Sequence, residues 1–251
     1  MGRIIAVVNQ KGGVGKTTTA VNLAAALTEA GKKILLCDFD PQANASSGMG
    51  VDKRKLKHSV YDVIIDDVPV TDVIVPTRFG DVLPSSADLA GAAVELLSME
   101  NPNFRLRKAL QTVQPLYDLI LIDCPPSLEL LTVNALAAAD GILVPVQCEY
   151  FALEGLEDLM NTLRLVKKRI NPGLEIFGVL LTMFDGRTNF STQVAQEVRK
   201  HFPGKAFATV IPRNVRLAEA PSHGLPVTAY DKSSRGAKAY QAVTQEIIKK
   251  L

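Results

Sequence analysis

Hydrophobic residues fall along the chain in short, nearly unbroken runs: Ile4–Val8, Ile34–Cys37, Leu119–Ile122, Gly141–Val146, Ile176–Leu181 and Phe207–Ile211. Each has the length of a strand, and the lack of in/out alternation is what strands covered on both faces require. Stretches of helical periodicity separate most of them. The pattern therefore predicts an α/β fold with a mostly parallel central sheet and helices on both faces. Within 17–30, Val21, Leu23, Ala24 and Leu27 share one stripe, and Gly31 follows as a C-terminal cap. Leu153, Leu156, Leu159, Met160, Leu163 and Val166 recur at helical spacing within 153–170, with cations in the last turn and Asn171, Pro172 and Gly173 beyond it. A third stripe, Tyr240, Val243, Ile247, Ile248 and Leu251, runs through 234–251. It suits a terminal helix docked on the core, the favoured reading, or a basic amphipathic helix lying on a membrane. Residues 51–103, interrupted by Pro69, Pro76, Pro84 and Pro102, read as peripheral helices and loops.

The 251 residues, 47% of them hydrophobic and 22% charged, fit one globular domain spanning 1–251. No apolar run approaches the roughly 20 residues of a membrane span, and no cleavable leader precedes the first strand, so a cytoplasmic protein is expected. Cys37, Cys124 and Cys148 are odd in number, widely spaced and set in or beside apolar runs, which points to core packing over a disulfide framework or a metal site. His58, His201 and His223 are too scattered for a metal site or a catalytic triad. A net charge of +2 does not announce nucleic-acid binding, so any basic surface must be local.

The densest chemistry lies between the first run and the first helical stripe, at Lys11–Thr18 (KGGVGKTT). Gly12, Gly13 and Gly15, flanking Val14, allow backbone N–H groups to close around phosphate oxygens at a helix N-terminus. Lys16 supplies charge, Thr17 a hydroxyl for Mg²⁺, and Thr18 closes the motif. The common phosphate-loop pattern would need glycine where Gln10 stands, whereas the variant K-G-G-x-G-K-T fits throughout. Lys11 is then a second cation beside the loop. It reads either as a solvated surface lysine or as a group reaching across a dimer interface to the other subunit's nucleotide, as an arginine finger does.

Two apolar runs end in acid, at Asp38 and Asp40 and at Asp123. In a parallel sheet the carboxyl ends of strands gather where ligands bind, so these carboxylates can converge on Mg²⁺ and the terminal phosphate. Asp123 fits a Walker-B role or a strand-end cap, and Asp40 could orient the attacking water. Asp38 either joins the site or supports its loop by hydrogen bonding.

With these blocks in hand, the chain resembles the ParA/MinD class of deviant Walker P-loop ATPases, and within it the chromosomal ParA (Soj) partitioning proteins. The resemblance spans nearly the whole chain. It rests on Lys11–Thr18, on 37–44 (CDFDPQAN), 122–127 (IDCPPS), 145–155 (PVQCEYFALEG), 181–189 (LTMFDGRTN) and 211–224 (IPRNVRLAEAPSHG). It implies a single-domain P-loop NTPase fold and a sandwich homodimer formed with ATP, in which Lys11 is the signature lysine. It further implies that Lys16 and Thr17 bind phosphate and Mg²⁺, that Asp40 is the catalytic aspartate, and that the base of ATP or ADP lies near Thr182, Met183, Pro212, Arg213 and Asn214. The implied cycle has weak intrinsic hydrolysis, non-specific binding of double-stranded DNA on the nucleoid, and stimulation by a ParB-type centromere-binding partner. Arg187 and Arg216 are the implied DNA-phosphate contacts. Arg199, Lys200, Arg235 and Lys238 join them as clustered cations that could instead be ordinary solvated surface.

Three rival readings stay open at this stage. A MinD-like membrane switch would use the tail stripe. A nitrogenase-iron-protein relative would need paired cysteines for a shared cluster, which the spacing does not offer. A small-molecule ATP-dependent ligase would carry the same phosphate loop. With the glycine loop so close to Met1, no sequence-reading DNA domain is expected ahead of it.

Overall fold

Seven strands form one sheet: β1 (Arg3–Val7), β2 (Ile34–Asp38), β3 (Val75–Thr77), β4 (Gly80–Leu83), β5 (Leu119–Asp123), β6 (Gly141–Gln147) and β7 (Glu175–Thr182). Their order is β3-β4-β2-β5-β1-β6-β7, and every neighbouring pair is parallel except β3 with β4. The computed structural model describes residues 2–127, 129–149 and 152–251, and of 152–154 the backbone alone. The predicted contributions of Leu153 to its stripe, and of Tyr150 and Phe151 to the 145–155 block, lie outside the described side chains.

Alternate residues of the strands feed two cores. Ile4, Ala6, Leu35, Cys37, Ile120 and Ile122 face one, and Ile5, Val7, Ile34, Leu36, Leu119 and Leu121 face the other. Leu106, Leu110, Leu131, Leu159 and Val194, from the helices Arg105–Val113, Leu130–Ala138, Ala152–Arg169 and Asn189–His201, close the first core. The helices Lys16–Glu29 and Arg235–Ile248 close the second. Burial on both faces explains why the strand sequences show no alternation of polarity.

The first predicted helix runs from Lys16 to Glu29 and ends as expected, with Gly31 at φ 83. The second spans Ala152–Arg169 and buries Leu156, Leu159, Leu163 and Val166. In the tail, Tyr240, Val243 and Ile247 are buried in the second core, and the Tyr240 hydroxyl meets Thr19 Oγ1 at 3.2 Å. The stripe is therefore a docking face as far as Ile248, whereas Leu251, predicted to belong to it, is exposed. Cys37, Cys124 and Cys148 are buried and free. Among the described residues no helix is long and apolar enough to cross a membrane.

Two expectations need correction. Residues 51–103 are not only helices and loops, because they supply the hairpin β3–β4, whose second strand pairs in parallel with β2. Conversely, Phe207–Ile211 is not a strand. Phe207 and Ile211 do donate to the β7 carbonyls of Val179 and Leu181, at 3.0 and 2.8 Å. Between them, however, the N–H groups of Ala208 and Thr209 both turn to the Glu246 carboxylate at 2.9 Å. A side chain from the last helix thus takes donors that a ladder would use.

Candidate functional site

The loop after β1 is anchored before it reaches its glycines. Asn9, which is buried, donates Nδ2 to Pro145 O at 2.8 Å on β6, and its Oδ1 accepts the Lys11 N–H at 3.0 Å. Gly13 and Gly15 take φ 76 and 89, the left-handed region where a Cβ is penalised, and Gly15 caps the helix that starts at Lys16. The first-turn N–H groups of that helix have no intrahelical acceptors, so the loop and the helix end form an anion cradle. At the same edge of the sheet, Thr182 Oγ1 donates to Val14 O at 2.8 Å and clamps the loop to the end of β7.

Lys16 is buried, and its Nζ folds back onto Lys11 O at 3.2 Å, inside the loop. Burial pulls its ammonium below the ordinary lysine value, while the carboxylates of Asp123 and Asp40 act the other way. Lys11 Nζ lies 3.9 Å from Glu149 Oε2.

Beneath Lys16, β2 and β5 end side by side, with Asp38 in register with Asp123, and both are 0% exposed. Burial pushes the Asp123 carboxyl well above the ordinary aspartate value, and the Asp38 charge adds to this. The Thr17 hydroxyl lies against Asp123 and favours its charged form. Yet no described donor reaches hydrogen-bond geometry at either Asp123 oxygen. An orphaned buried carboxylate beside a hydroxyl is a hard oxygen donor set, which suits Mg²⁺ or a water of its shell. Thr17 and Asp123 therefore fit the predicted metal site. Asp40 joins from the loop beyond β2, with its Oδ1 accepting the Gln42 N–H at 2.9 Å.

Asp38 has a different place. Its oxygens accept from Ser46 N and Ser46 Oγ, both at 2.7 Å, and from Asp40 N at 3.3 Å. Burial pushes its pKa up to about 6 against those bonds. Of the two roles open in the sequence, the geometry shows loop support.

A cavity of about 340 Å³ opens beside the glycine loop. Thr182, Met183, Pro212, Arg213 and Asn214, the segments predicted for the base, line it together with Gly15 and Thr18. Val215, Leu217, Ala218 and Tyr240 also line it and were missed, because as helical positions they read only as packing. Met183 stands at φ 50, and Asn214 caps the helix Val215–Glu219 by accepting the Arg216 N–H at 3.1 Å. Asn9 and Ser46 were missed as well, since a lone polar residue at the edge of a turn carries no distinctive signal.

The predicted DNA contacts are carried on separate elements. Arg187 is exposed after β7 and pairs with Asp185 at 2.6 Å. Arg216 pairs with Glu219 at 2.7 Å and with Asp231 at 3.3 Å. Gly236 packs so closely on Leu217 that a Cβ would meet Leu217 Cγ at 2.8 Å, which sets the exposed Arg235 and Lys238 beside the helix carrying Arg216. Arg199 Nη2 donates to Ala208 O at 3.1 Å. Lys200 stands with it at the far end of Asn189–His201, roughly 16 Å of helix beyond Asn189.

Fold and loop together define a P-loop ATPase of the deviant Walker kind. A family model described as an AAA domain matches residues 2–176. The sporulation initiation inhibitor protein Soj of Bacillus subtilis is 55% identical over 249 residues, 98% of each chain. The chromosome partitioning protein ParA of Myxococcus xanthus is 51% identical over 252 residues, covering 100% of this chain and 89% of its own. Among solved structures, a cobyrinic acid a,c-diamide synthase from Mycobacterium smegmatis, with bound ADP and magnesium, superposes with a TM-score of 0.86. It is 37% identical, and the match covers 99% of this chain and 95% of that one. The chain belongs to the ParA/Soj family of chromosome-partitioning ATPases, within the ParA/MinD class.

Proposed function

We propose that residues 1–251 act as one ATP-dependent dimerising switch that binds double-stranded DNA without sequence preference and releases it on hydrolysis, partitioning DNA with a ParB-type centromere-binding partner on the nucleoid. The observation that carries the nucleotide half is the orphaned Asp123 carboxylate beneath Thr17 and Lys16. Mg²⁺ would be held by Thr17, with Asp123 and Asp40 beside it, and it supplies positive charge against the triphosphate. The glycine-loop N–H groups and Lys16 grip the phosphates, and the cavity edged by Met183, Pro212, Arg213 and Asn214 takes the base of ATP or ADP. Asp40 orients the attacking water, and Lys11 of each subunit completes the partner's site, so that ATP holds the dimer together. Likeness to Soj and ParA supports the DNA and ParB half, with Arg187 and Arg216 as phosphate contacts and Arg199, Lys200, Arg235 and Lys238 adding charge.

The likeness to cobyrinic acid a,c-diamide synthase favours one other reading, an ATP-dependent ligase acting on a small molecule. Solution mass and turnover separate the two. The switch requires a dimer with Mg-ATP and a monomer with ADP, with hydrolysis accelerated by DNA and the partner protein. A monomer with both nucleotides, accelerated by a small acid acceptor, would establish the ligase.

A further inference from the structure

One buried hydroxyl ties down the segment that carries Asp40. Ser46 donates its backbone N–H and its hydroxyl to the same Asp38 oxygen, each at 2.7 Å, and its Oγ also accepts the Ser85 N–H at 3.1 Å. The other Asp38 oxygen accepts the Asp40 N–H at 3.3 Å. Asp38, Ser46 and Ser85 are all 0% exposed, so a broken bond in this cluster has no solvent to replace it.

Between its two anchors the chain adopts a conformation it would not choose alone. Ala43 stands at φ 51 and ψ 38, the left-handed region that a Cβ disfavours. Such a conformation persists only where the surroundings over-determine it. Ala43 N donates to Asp40 O at 2.9 Å and Gln42 N to Asp40 Oδ1 at 2.9 Å, so the same turn sets the direction of the Asp40 carboxylate. Releasing the clamp lets the turn relax and leaves Asp40 in the chain but out of place.

We propose that Ser46 is a positioning residue for ATP hydrolysis: acting through Asp38 it fixes the backbone of Asp40, and through Ser85 it couples that turn to the end of β4. The inference rests on the role proposed above for Asp40. The side-chain hydrogen bonds of Ser46 run to Asp38 and Ser85, and Ser46 does not line the cavity beside the glycine loop, so its removal is expected to act on turnover and leave nucleotide binding alone. A displacement of about 1 Å at a reacting group is enough to cost up to a hundredfold in rate.

The test is steady-state ATP turnover across ATP concentration for the natural protein, Ser46→Ala, the Ala43→Gly/Ser46→Ala double variant and Asp40→Ala. Ser46→Ala is expected to lower kcat by about tenfold or more with KM nearly unchanged, the signature of an interaction made only in the transition state. Adding Ala43→Gly is expected to recover much of that loss, because glycine holds a left-handed turn without the clamp. A natural kcat in Ser46→Ala overturns the proposal, as does a fall in kcat matched by a rise in KM with no rescue by glycine. If Ser46→Ala does not fold, Ser46→Cys, similar in size but a weaker donor, is expected to give an intermediate kcat, and a natural kcat there overturns the proposal. An Asp40→Ala protein that turns over normally overturns the role of Asp40 itself. A dead Asp40→Ala beside an unaffected Ser46→Ala overturns the positioning role alone.

Discussion

The three glycines of the phosphate loop separate conformational need from ligand contact. Gly13 requires its φ of 76, whereas Gly12 lies outside the left-handed region and a Cβ there would meet nothing within 4 Å. Gly13→Ala is therefore expected to cost roughly 1–2 kcal/mol of stability. Gly12→Ala should leave the melting temperature unchanged yet weaken ATP binding, because only the ligand comes close to that backbone. Thermal unfolding and nucleotide titration of both variants check this, and a Gly12→Ala protein with full affinity would remove Gly12 from the phosphate site. Asp123 admits a second test. Asp123→Asn keeps the shape and removes a buried carboxyl whose charge burial opposes and no described donor satisfies, so the ligand-free variant should be no less stable than the natural protein. Mg-ADP at a hundredfold its Kd should add about 2.7 kcal/mol to the natural protein, and the variant should lose the magnesium-dependent part of that gain. Melting curves with and without magnesium decide it. Much of this was legible in the sequence, because glycine spacing, the Lys16–Thr17 pair and an acid closing an apolar run each imply their own chemistry. The division of labour between Asp38 and Asp123 was not legible. Both are acids at strand ends, and only Ser46, folded under one of them, tells them apart.

Elements were legible in proportion to their length. The helices Lys16–Glu29, Ala152–Arg169 and Arg235–Ile248 were found to within one residue or so at most ends because each carries a long apolar stripe. The hairpin β3–β4 escaped notice because strands of three and four residues hold too little periodicity, and Pro76 sits on the outermost of them, where its missing N–H costs nothing. Phe207–Ile211 misled in the other direction. Its composition is that of a strand, but the N–H groups of Ala208 and Thr209 answer to Glu246, 37 residues beyond Thr209. That carboxylate gives a pH prediction. Burial opposes its charge, but the hydrogen bonds from Thr209 and Ala208 outweigh it and hold the carboxyl below the ordinary glutamate value. A carboxyl lowered on folding contributes stability above its unfolded value, about 4.3, and loses it as pH falls through the lower folded value. Glu246→Ala should therefore cost about 1–3 kcal/mol near neutral pH, and the gap from the natural protein should narrow below about pH 4. Chemical denaturation at several pH values measures this, and a gap that stays constant into acid would contradict it.

At the scale of the whole molecule, β2, β5, β1, β6 and β7 run parallel, so Asp38, the glycine loop, Asp123 and Thr182 gather at one edge of the sheet. Every nucleotide-site residue named in the sequence lies along that edge or in the loops above it. The cations proposed for DNA are carried on several elements, with Arg187 in the loop after β7, Arg199 and Lys200 on Asn189–His201, Arg216 on Val215–Glu219, and Arg235 and Lys238 on Arg235–Ile248. Two subunits joined face to face across ATP would double that array, which makes DNA affinity a reporter of dimerisation. Each phosphate neutralised adds to the slope of affinity against salt. The most direct measurement is DNA binding by Asp40→Ala, a variant expected to bind ATP and retain it, with ATP and with ADP across a salt series. The account predicts tight binding with ATP alone, indifferent to DNA sequence and weakening steeply as salt rises, whereas equal affinity with both nucleotides, or no binding with either, would contradict it.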